Sequence, residues 1–278
     1  LKDGATGEIL FSLSEAGSSV VNLGEEETMA LDESENAPSA PNYRYTYLVD
    51  QSEVAEEAIW EATVTSTDLV GNTQEATVAF NTFDFTPPSW VSGEPTASLL
   101  PPGAMLQVPV VLSEASSTAP TLKGMLESNP ENVVFEIASG VSGTTEMMFN
   151  RTVANGEEGT YELWLSGVED VAGNAMNSIQ VGTVTFDGIA PQPMNVTISA
   201  ATLNQQDTLT VTFEAPEALS MAKVSLGPHE LDDQTAEGAQ THLFRLEMAN
   251  ISESRMLPVR IDLTDVAGNG FAYEHHED

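Results

Sequence analysis

The stretch Tyr161-Glu-Leu-Trp-Leu-Ser-Gly-Val-Glu-Asp-Val-Ala-Gly-Asn174 decides the fold of this chain. Its first five residues form an alternating, strand-like run, which predicts a β-strand with one buried face. The segment from Asp170 to Asn174 is a turn sequence, because aspartate accepts hydrogen bonds from nearby amides and glycine and asparagine adopt positive φ angles. A further strand-like run, 178–186, follows the turn. The stretch therefore predicts two neighbouring strands joined by an acidic turn.

This turn occurs twice more, as Asp68-Leu-Val-Gly-Asn72 and as Asp265-Val-Ala-Gly-Asn269. Asp68 lies 102 residues before Asp170, which lies 95 residues before Asp265. A second landmark, an acidic residue that closes an apolar strand, precedes each turn by 51 to 56 residues: Glu15, Glu114 and Glu214. Because the landmarks recur in the same order, the sequence predicts three copies of one domain.

The pattern between the landmarks is typical of all-β domains, since short strands alternate with turns rich in Gly, Pro, Asn and Ser. We expect three tandem Greek-key β-sandwiches of about 95 to 100 residues each. The predicted boundaries are 1–86, 87–190 and 191–278.

Only 14 residues precede Glu15, so we expect the first domain to lack its first strand. Either the sequence was cut from a longer chain, or another molecule supplies a strand at that edge. The third domain has a short last strand, 270–275, and is expected to be truncated.

Composition excludes several classes of function. The 278 residues include 8 Lys plus Arg and 43 Asp plus Glu, a net charge of −35, yet 41% are hydrophobic, which is enough for packed cores. Phosphate backbones and anionic membranes would repel this charge, so nucleic acid and membrane surfaces are poor partners. No apolar run approaches the roughly 18 residues of a membrane helix, and the absence of cysteine excludes disulfides and thiolate metal sites. The acidity favours divalent cations or a saline habitat, which composition does not separate.

The middle repeat, with Val110-Val-Leu-Ser-Glu114 ahead of the opening stretch, resembles bacterial immunoglobulin-like repeats. Such repeats are strung together in large secreted adhesins, biofilm proteins and other multidomain surface proteins. The similarity covers nearly the whole chain and is strongest in the middle repeat. It implies that the three all-β domains are immunoglobulin-like Greek-key β-sandwiches in an extracellular or cell-surface protein. It also supports calcium as a ligand that stiffens the links between repeats and makes the chain an elongated rod.

The candidate site lies at the junctions between repeats. In an immunoglobulin-like sandwich, the start of the first strand, the end of the second and the turn between the last two share one pole. The acidic linker residues Asp84 and Asp187 should therefore approach the other two landmarks. The expected sets are Asp84, Glu114, Asp170 and Asn174 at the first junction; Asp187, Glu214 or Glu217, Asp265 and Asn269 at the second; and a weaker set, Glu15, Asp68 and Asn72, in the first domain.

Two interpretations of these sets remain open. Converging carboxylates repel one another, and calcium, which takes six to eight oxygen ligands, would remove that repulsion. Alternatively, the acidic residues serve only as turn residues or solvated strand ends. The third repeat weakens the calcium interpretation, because Phe213-Glu-Ala-Pro216 shifts the acid by one position. A shift of one residue turns a strand side chain to the opposite face.

We expect the chain not to be an enzyme, because no nucleophile–base pair or phosphate-binding loop is present and three similar sandwiches offer no evident pocket. The expected function is that of a structural repeat region, a stalk or spacer of an adhesin. One alternative is a subunit of an extracellular filament or surface layer assembled by strand donation. Another is a set of accessory repeats in a secreted enzyme. The expected partners are neighbouring repeats of the same chain or identical subunits, and the sequence identifies no distal ligand.

Overall fold

In the computed structural model, the described residues are 1–24, 27–31, 42–54, 59–200, 202–251 and 256–275. Within these ranges the chain forms six β-sheets, and its one helical element is a 3₁₀ turn, Met248–Asn250. No helix in this part of the chain is long and apolar enough to span a bilayer. The fold is therefore all-β, as the sequence predicts.

The described residues of the predicted first repeat, 1–86, form two sheets. Its strands are β1 (Thr6–Ser12), β2 (Gly17–Leu23), β3 (Glu27–Thr28), β4 (Ala30–Leu31), β5 (Asn42–Leu48), β6 (Ile59–Asp68) and β7 (Thr73–Thr82). One sheet has the order β1-β5-β4 and the other has the order β3-β2-β6-β7. Strand β1 is thus the outermost strand of its sheet.

The predicted second repeat, 87–190, also contains two sheets. Its strands are β8 (Trp90–Ser92), β9 (Leu99–Leu100), β10 (Met105–Ser116), β11 (Thr121–Leu126), β12 (Asn129–Ala138), β13 (Thr144–Thr152), β14 (Gly159–Ser166) and β15 (Ile179–Phe186). The sheet orders are β13-β10-β8 and β12-β11-β14-β15-β9. Consecutive strands β10 and β11 lie in different sheets, and β13 returns beside β10, which is the Greek-key arrangement of immunoglobulin-like sandwiches.

The described residues of the predicted third repeat, 191–278, also form two sheets. Its strands are β16 (Met194–Ile198), β17 (Thr208–Glu214), β18 (Leu219–Leu226), β19 (His229–Glu230), β20 (Asp232–Asp233), β21 (Thr241–Glu247), β22 (Val259–Asp265) and β23 (Gly270–His275). The sheets have the orders β16-β17-β21-β20 and β19-β18-β22-β23. Strand β16 covers the edge of β17, as β8 covers that of β10.

Each pair of sheets encloses its own hydrophobic cluster, because alternate side chains point between the sheets. In β17, Leu209, Val211 and Phe213 are buried while the intervening threonines face outward. The three clusters draw their buried residues from 9–83, 100–186 and 209–263 respectively. Among the residues that the structure describes, no buried cluster residue is shared between repeats.

Candidate functional site

The turn from Asp170 to Asn174 buries the Asp170 carboxylate at the pole of the second repeat that contacts the linker from the first repeat. Asp170 is 1% exposed, and its Oδ1 accepts hydrogen bonds from the backbone amides of Gly173 at 2.6 Å and Asn174 at 2.8 Å. The side-chain amide of Asn174 donates to Asp170 Oδ2 at 2.8 Å. Gly173 has a φ of +94°, a region in which other L-residues are strained. The hydrogen bonds of the turn thus fix the position of the Asp170 carboxylate.

The third repeat forms the same turn around Asp265, which is also 1% exposed. The amides of Gly268 and Asn269 donate to its Oδ1 at 2.7 and 2.8 Å, and Asn269 Nδ2 donates to its Oδ2 at 2.9 Å. Strand alternation explains the burial, because Asp265 continues the inward-facing series of β22 that includes Ile261 and Leu263. The Asp265 side chain therefore points into the interior because it is the last inward-facing residue of β22.

The linker acids are fixed by the core of the preceding repeat. Asp84 follows Phe83 and Asp187 follows Phe186, and both phenylalanines are 0% exposed. Each linker is then held by the next repeat, since the side-chain amide of its turn asparagine donates to the backbone carbonyl oxygen of the linker acid at 2.9 Å: Asn174 to Asp84 and Asn269 to Asp187. A hydrogen bond thus joins linker and turn at both junctions.

Three carboxylates meet at each junction. At the first, Asp84, Glu114 and Asp170 each place one oxygen within 4.8 Å of the other two. At the second, Asp187, Glu217 and Asp265 do the same. At each junction the linker and the last turn contribute one acid each. The third acid is Glu114, within β10, at the first junction and Glu217, three residues after the end of β17, at the second. Such a set of carboxylate oxygens suits a hard divalent cation.

The structure distinguishes the two glutamates left open at the second junction. Glu214 lies at the end of β17, outside the cluster, where its Oε2 accepts a hydrogen bond from Asn195 Nδ2 at 2.8 Å. Ala215 is buried, 5% exposed, and the chain brings Glu217 to the cluster two residues later. Because of the one-residue shift, Glu214 does not reach the junction, and Glu217 is the third carboxylate of the cluster.

In the weaker set of the first repeat, Asp68 and Asn72 form the same turn. Asn72 donates to Asp68 through its amide nitrogen at 2.8 Å and through Nδ2 at 2.6 Å. These hydrogen bonds, the side-chain one first, lower the pKa of Asp68 below its ordinary value. Glu15, Asp68 and Asn72 line a cavity of about 370 Å³ at this pole.

Two junction residues were not predicted from the sequence. Lys2 donates from Nζ to the backbone oxygen of Gly173 at 2.7 Å, which links the first repeat to the turn of the second. Glu158 Oε2 accepts a hydrogen bond from the amide of Gly188 at 2.8 Å, directly after Asp187. No local pattern marks either residue, because each reaches the junction through tertiary structure.

The environment of Glu217 disfavours its ionised form. Burial raises its pKa above the ordinary glutamate value, and the negative charges of Asp187, Asp265 and Glu158 raise the pKa further. The folded chain therefore disfavours the ionised form of this side chain. A bound cation would reverse that penalty.

In metal-free buffer, Glu217→Gln is expected to stabilise the chain at pH 7 by less than about 1 kcal/mol, a small value because solvent screens partly exposed charges. Because the pKa of Glu217 is raised in the folded state, this side chain favours folding of the unaltered chain most below its unfolded pKa of about 4.3. That contribution is lost as the pH rises through the folded pKa, which is why the neutral glutamine gains an advantage only at higher pH. The gain should accordingly vanish at pH 4. Thermal melting at both pH values tests this, with Glu214→Gln as the matched control. Equal melting of the two variants at pH 7 would contradict the expectation.

The fold and the junction geometry define an all-β protein built of immunoglobulin-like sandwiches. No protein-family model matches the sequence, and no curated protein matches it. Among solved structures, the chain is similar to a 1.5-MDa bacterial ice-binding adhesin at 15% identity and a TM-score of 0.47, covering 98% of this chain and 89% of that chain. It is similar to a Ca²⁺-stabilised adhesin of an Antarctic bacterium at 16% identity and a TM-score of 0.48, covering 98% and 68%. The mouse nectin-like molecule 4 ectodomain aligns at 14% identity and a TM-score of 0.34, covering 98% and 94%.

Proposed function

We propose that this chain is a non-catalytic spacer, a run of three sandwich domains in an extracellular or cell-surface protein of the adhesin type. Calcium at the two junctions fixes each domain relative to the next and makes the chain an elongated rod. The domains are residues 1–86, 87–190 and 191–278, each with its own core. The observation that carries the proposal is the meeting of three carboxylates from three separate segments at both junctions.

The composition of each cluster explains how a cation would stiffen the chain. At the first junction Asp84 belongs to the linker, whereas Glu114 and Asp170 belong to the following repeat. A cation bound by all three holds the linker against the domain that follows it, so that bending the junction requires breaking metal–oxygen contacts. The hydrogen bond from Asn174 to the Asp84 carbonyl oxygen already holds the linker backbone in place.

Calcium suits these clusters better than magnesium. Calcium accepts a flexible set of six to eight oxygens at 2.3–2.6 Å, whereas magnesium demands near-ideal octahedral geometry and keeps most of its water. Two of the three carboxylates in each cluster are half-buried, which leaves room for water ligands. At the second junction, burial and, after it, the negative charges of Asp187 and Asp265 raise the pKa of Glu217, and a bound cation would offset both effects.

Small-angle scattering tests the spacer function. We expect calcium to increase the maximum dimension of the particle relative to excess chelator, with a radius of gyration well above the roughly 19 Å of a compact single domain of this length. The double variant Glu114→Gln/Glu217→Gln should lose the response, while the control Glu15→Gln/Glu214→Gln, which removes two acids outside both clusters, should retain it. Identical scattering with calcium and with chelator would refute calcium stiffening.

A further inference from the structure

One tryptophan of the second repeat lies on the outer face of its sandwich. In β14 the residues on either side of it, Leu163 and Leu165, are 0% exposed, whereas Trp164 is half-buried and points away from the core. Trp60 and Trp90 pack against the hydrophobic clusters of their repeats. Trp164 belongs to none of the three clusters that the described residues form. Its ring is therefore a surface feature of the sheet.

The indole of Trp164 is held in one orientation. Its Nε1 donates a hydrogen bond at 3.1 Å to Oε2 of Glu162, which lies two residues earlier on the same face of β14. In the part of the chain that the structure describes, neither another aromatic ring nor a cationic side chain stacks on this indole. The ring is thus preorganised for a contact, and no ring or charge of these residues occupies its face.

Polar side chains border the ring on both sides. In the sheet, Trp164 lies opposite Lys123 of β11 and opposite Gln180 of β15. Residues directly opposite each other in neighbouring strands project from the same face of the sheet. The Lys123 ammonium lies 3.5 Å from Oε1 of Glu136, and Gln180 is exposed. With Glu162, these side chains place an ammonium, a carboxamide and a carboxylate around the indole.

The third repeat has no aromatic residue at the corresponding position. There Lys223 of β18 lies opposite Asp262 of β22. This pairing corresponds to that of Lys123 with Trp164 in the second repeat. Arg260 Nε donates to Oδ1 of Asp262 at 2.9 Å, so that a polar pair replaces the pair of indole and glutamate. Because the same kind of sheet forms with aspartate at this position, the sandwich does not need an aromatic side chain there.

We propose that Trp164 and the polar side chains around it form a binding site for a neutral sugar unit of a glycan. The apolar C–H face of a pyranose packs flat on an indole, and polar groups at the edge of the ring bind the hydroxyls. Lys123 and Gln180 donate hydrogen bonds to these hydroxyls, while Glu162 and Gln180 accept them. The site adds glycan binding to the spacer, and it does not depend on the calcium clusters.

Charge decides in favour of a neutral ligand. The net charge of −35 repels sulfated and carboxylated glycans. The Lys123 ammonium beside the ring disfavours a cationic ligand, which would also need further aromatic side chains to enclose it. A single ring on an open sheet face predicts weak binding, with a dissociation constant of about 1 mM.

Fluorine NMR of the full chain tests this site directly. The chain contains three tryptophans, so labelling with 5-fluorotryptophan gives three resonances, and the one that Trp164→Tyr lacks belongs to Trp164. The neutral probes are cellohexaose, maltohexaose and N-acetylchitohexaose. We expect at least one of them to shift the Trp164 resonance saturably, while those of Trp60 and Trp90 stay in place. The absence of a Trp164 shift with all three probes overturns the proposal. A shift with only a hyaluronan hexasaccharide or only tetramethylammonium also overturns it, because the ligand would then be charged.

Two lysine variants form a matched pair for the same titration. Lys123→Met removes the ammonium beside Trp164, and Lys223→Met removes its counterpart in the third repeat; each variant also breaks one lysine–glutamate ion pair. We expect Lys123→Met to weaken probe binding several-fold through the loss of a hydrogen-bond donor, and Lys223→Met to leave it unchanged. Equal binding by the two variants overturns the assignment of the polar border. All titrations are run with calcium and with excess chelator: a Trp164 shift in both supports the sugar site even if the calcium clusters fail, whereas a shift that requires calcium overturns it.

Discussion

Saturating calcium is expected to raise the melting temperature of the metal-free chain by about 10 to 20 °C. A ligand present at 100 times its dissociation constant stabilises the folded state by about 2.7 kcal/mol, and 1 kcal/mol shifts the melting of a domain of about 100 residues by roughly 4–8 °C. The expected gain is large because each ion replaces repulsion among three carboxylates within 4.8 Å of one another by attraction. Thermal melting followed by circular dichroism, with and without chelator, measures it.

The variants for this experiment must leave the turns intact. Asp170 and Asp265 are unsuitable, because their carboxylates also accept the amide hydrogen bonds that form the turns. Glu217→Gln keeps the side-chain shape and removes one charge from the second cluster, so it should reduce the calcium response of the third repeat. Glu214→Gln removes the same charge three residues away, at a side chain bonded to Asn195, and should respond like the unaltered chain. Equal calcium responses of these two variants would show that the cluster is not the binding site.

The fold was predictable because its determinants are local. Alternating burial in β17 and β22 follows directly from alternating apolar side chains, and the Asp-x-x-Gly-Asn sequence specifies its own hydrogen bonds. The convergence of Asp84 with Glu114 and Asp170 also followed from topology, since strand direction alone fixes which ends share a pole. Periodicity and connectivity therefore sufficed for the sheets and for the first cluster.

The second cluster could not be fully predicted, because it depends on the chain path beyond a strand end. Once β17 ends at Glu214, strand alternation no longer determines where side chains point. Buried Ala215 and the proline after it carry the chain onward, and Glu217 rather than Glu214 joins the cluster. Lys2 and Glu158 reach the junctions from distant parts of the sequence, so their roles became visible only in three dimensions.

Phe186→Ala is expected to destabilise the second repeat by about 3–5 kcal/mol, the usual cost of emptying a buried aromatic site. Phe186 is 0% exposed, and its ring centroid lies 4.7 Å from that of Tyr161 and 5.9 Å from that of Phe135. Arg151 also lies near the ring, with its Cζ 5.8 Å from the centroid. Removing the ring therefore leaves a cavity among side chains that come from several strands and cannot all move in to fill it.

The same variant tests whether the repeats are separate domains. The buried clusters share no residue, so the loss should be confined to the second repeat if 87–190 folds as a unit. Hydrogen exchange followed by mass spectrometry should show amides of β14 exchanging more than about a hundredfold faster, while those of β22 keep their protection. Phe213→Ala, at another fully buried phenylalanine, should give the reverse pattern. If either variant accelerated exchange equally in β14 and β22, the repeats would unfold as one cooperative unit, and the junctions would couple the cores as well as orient them.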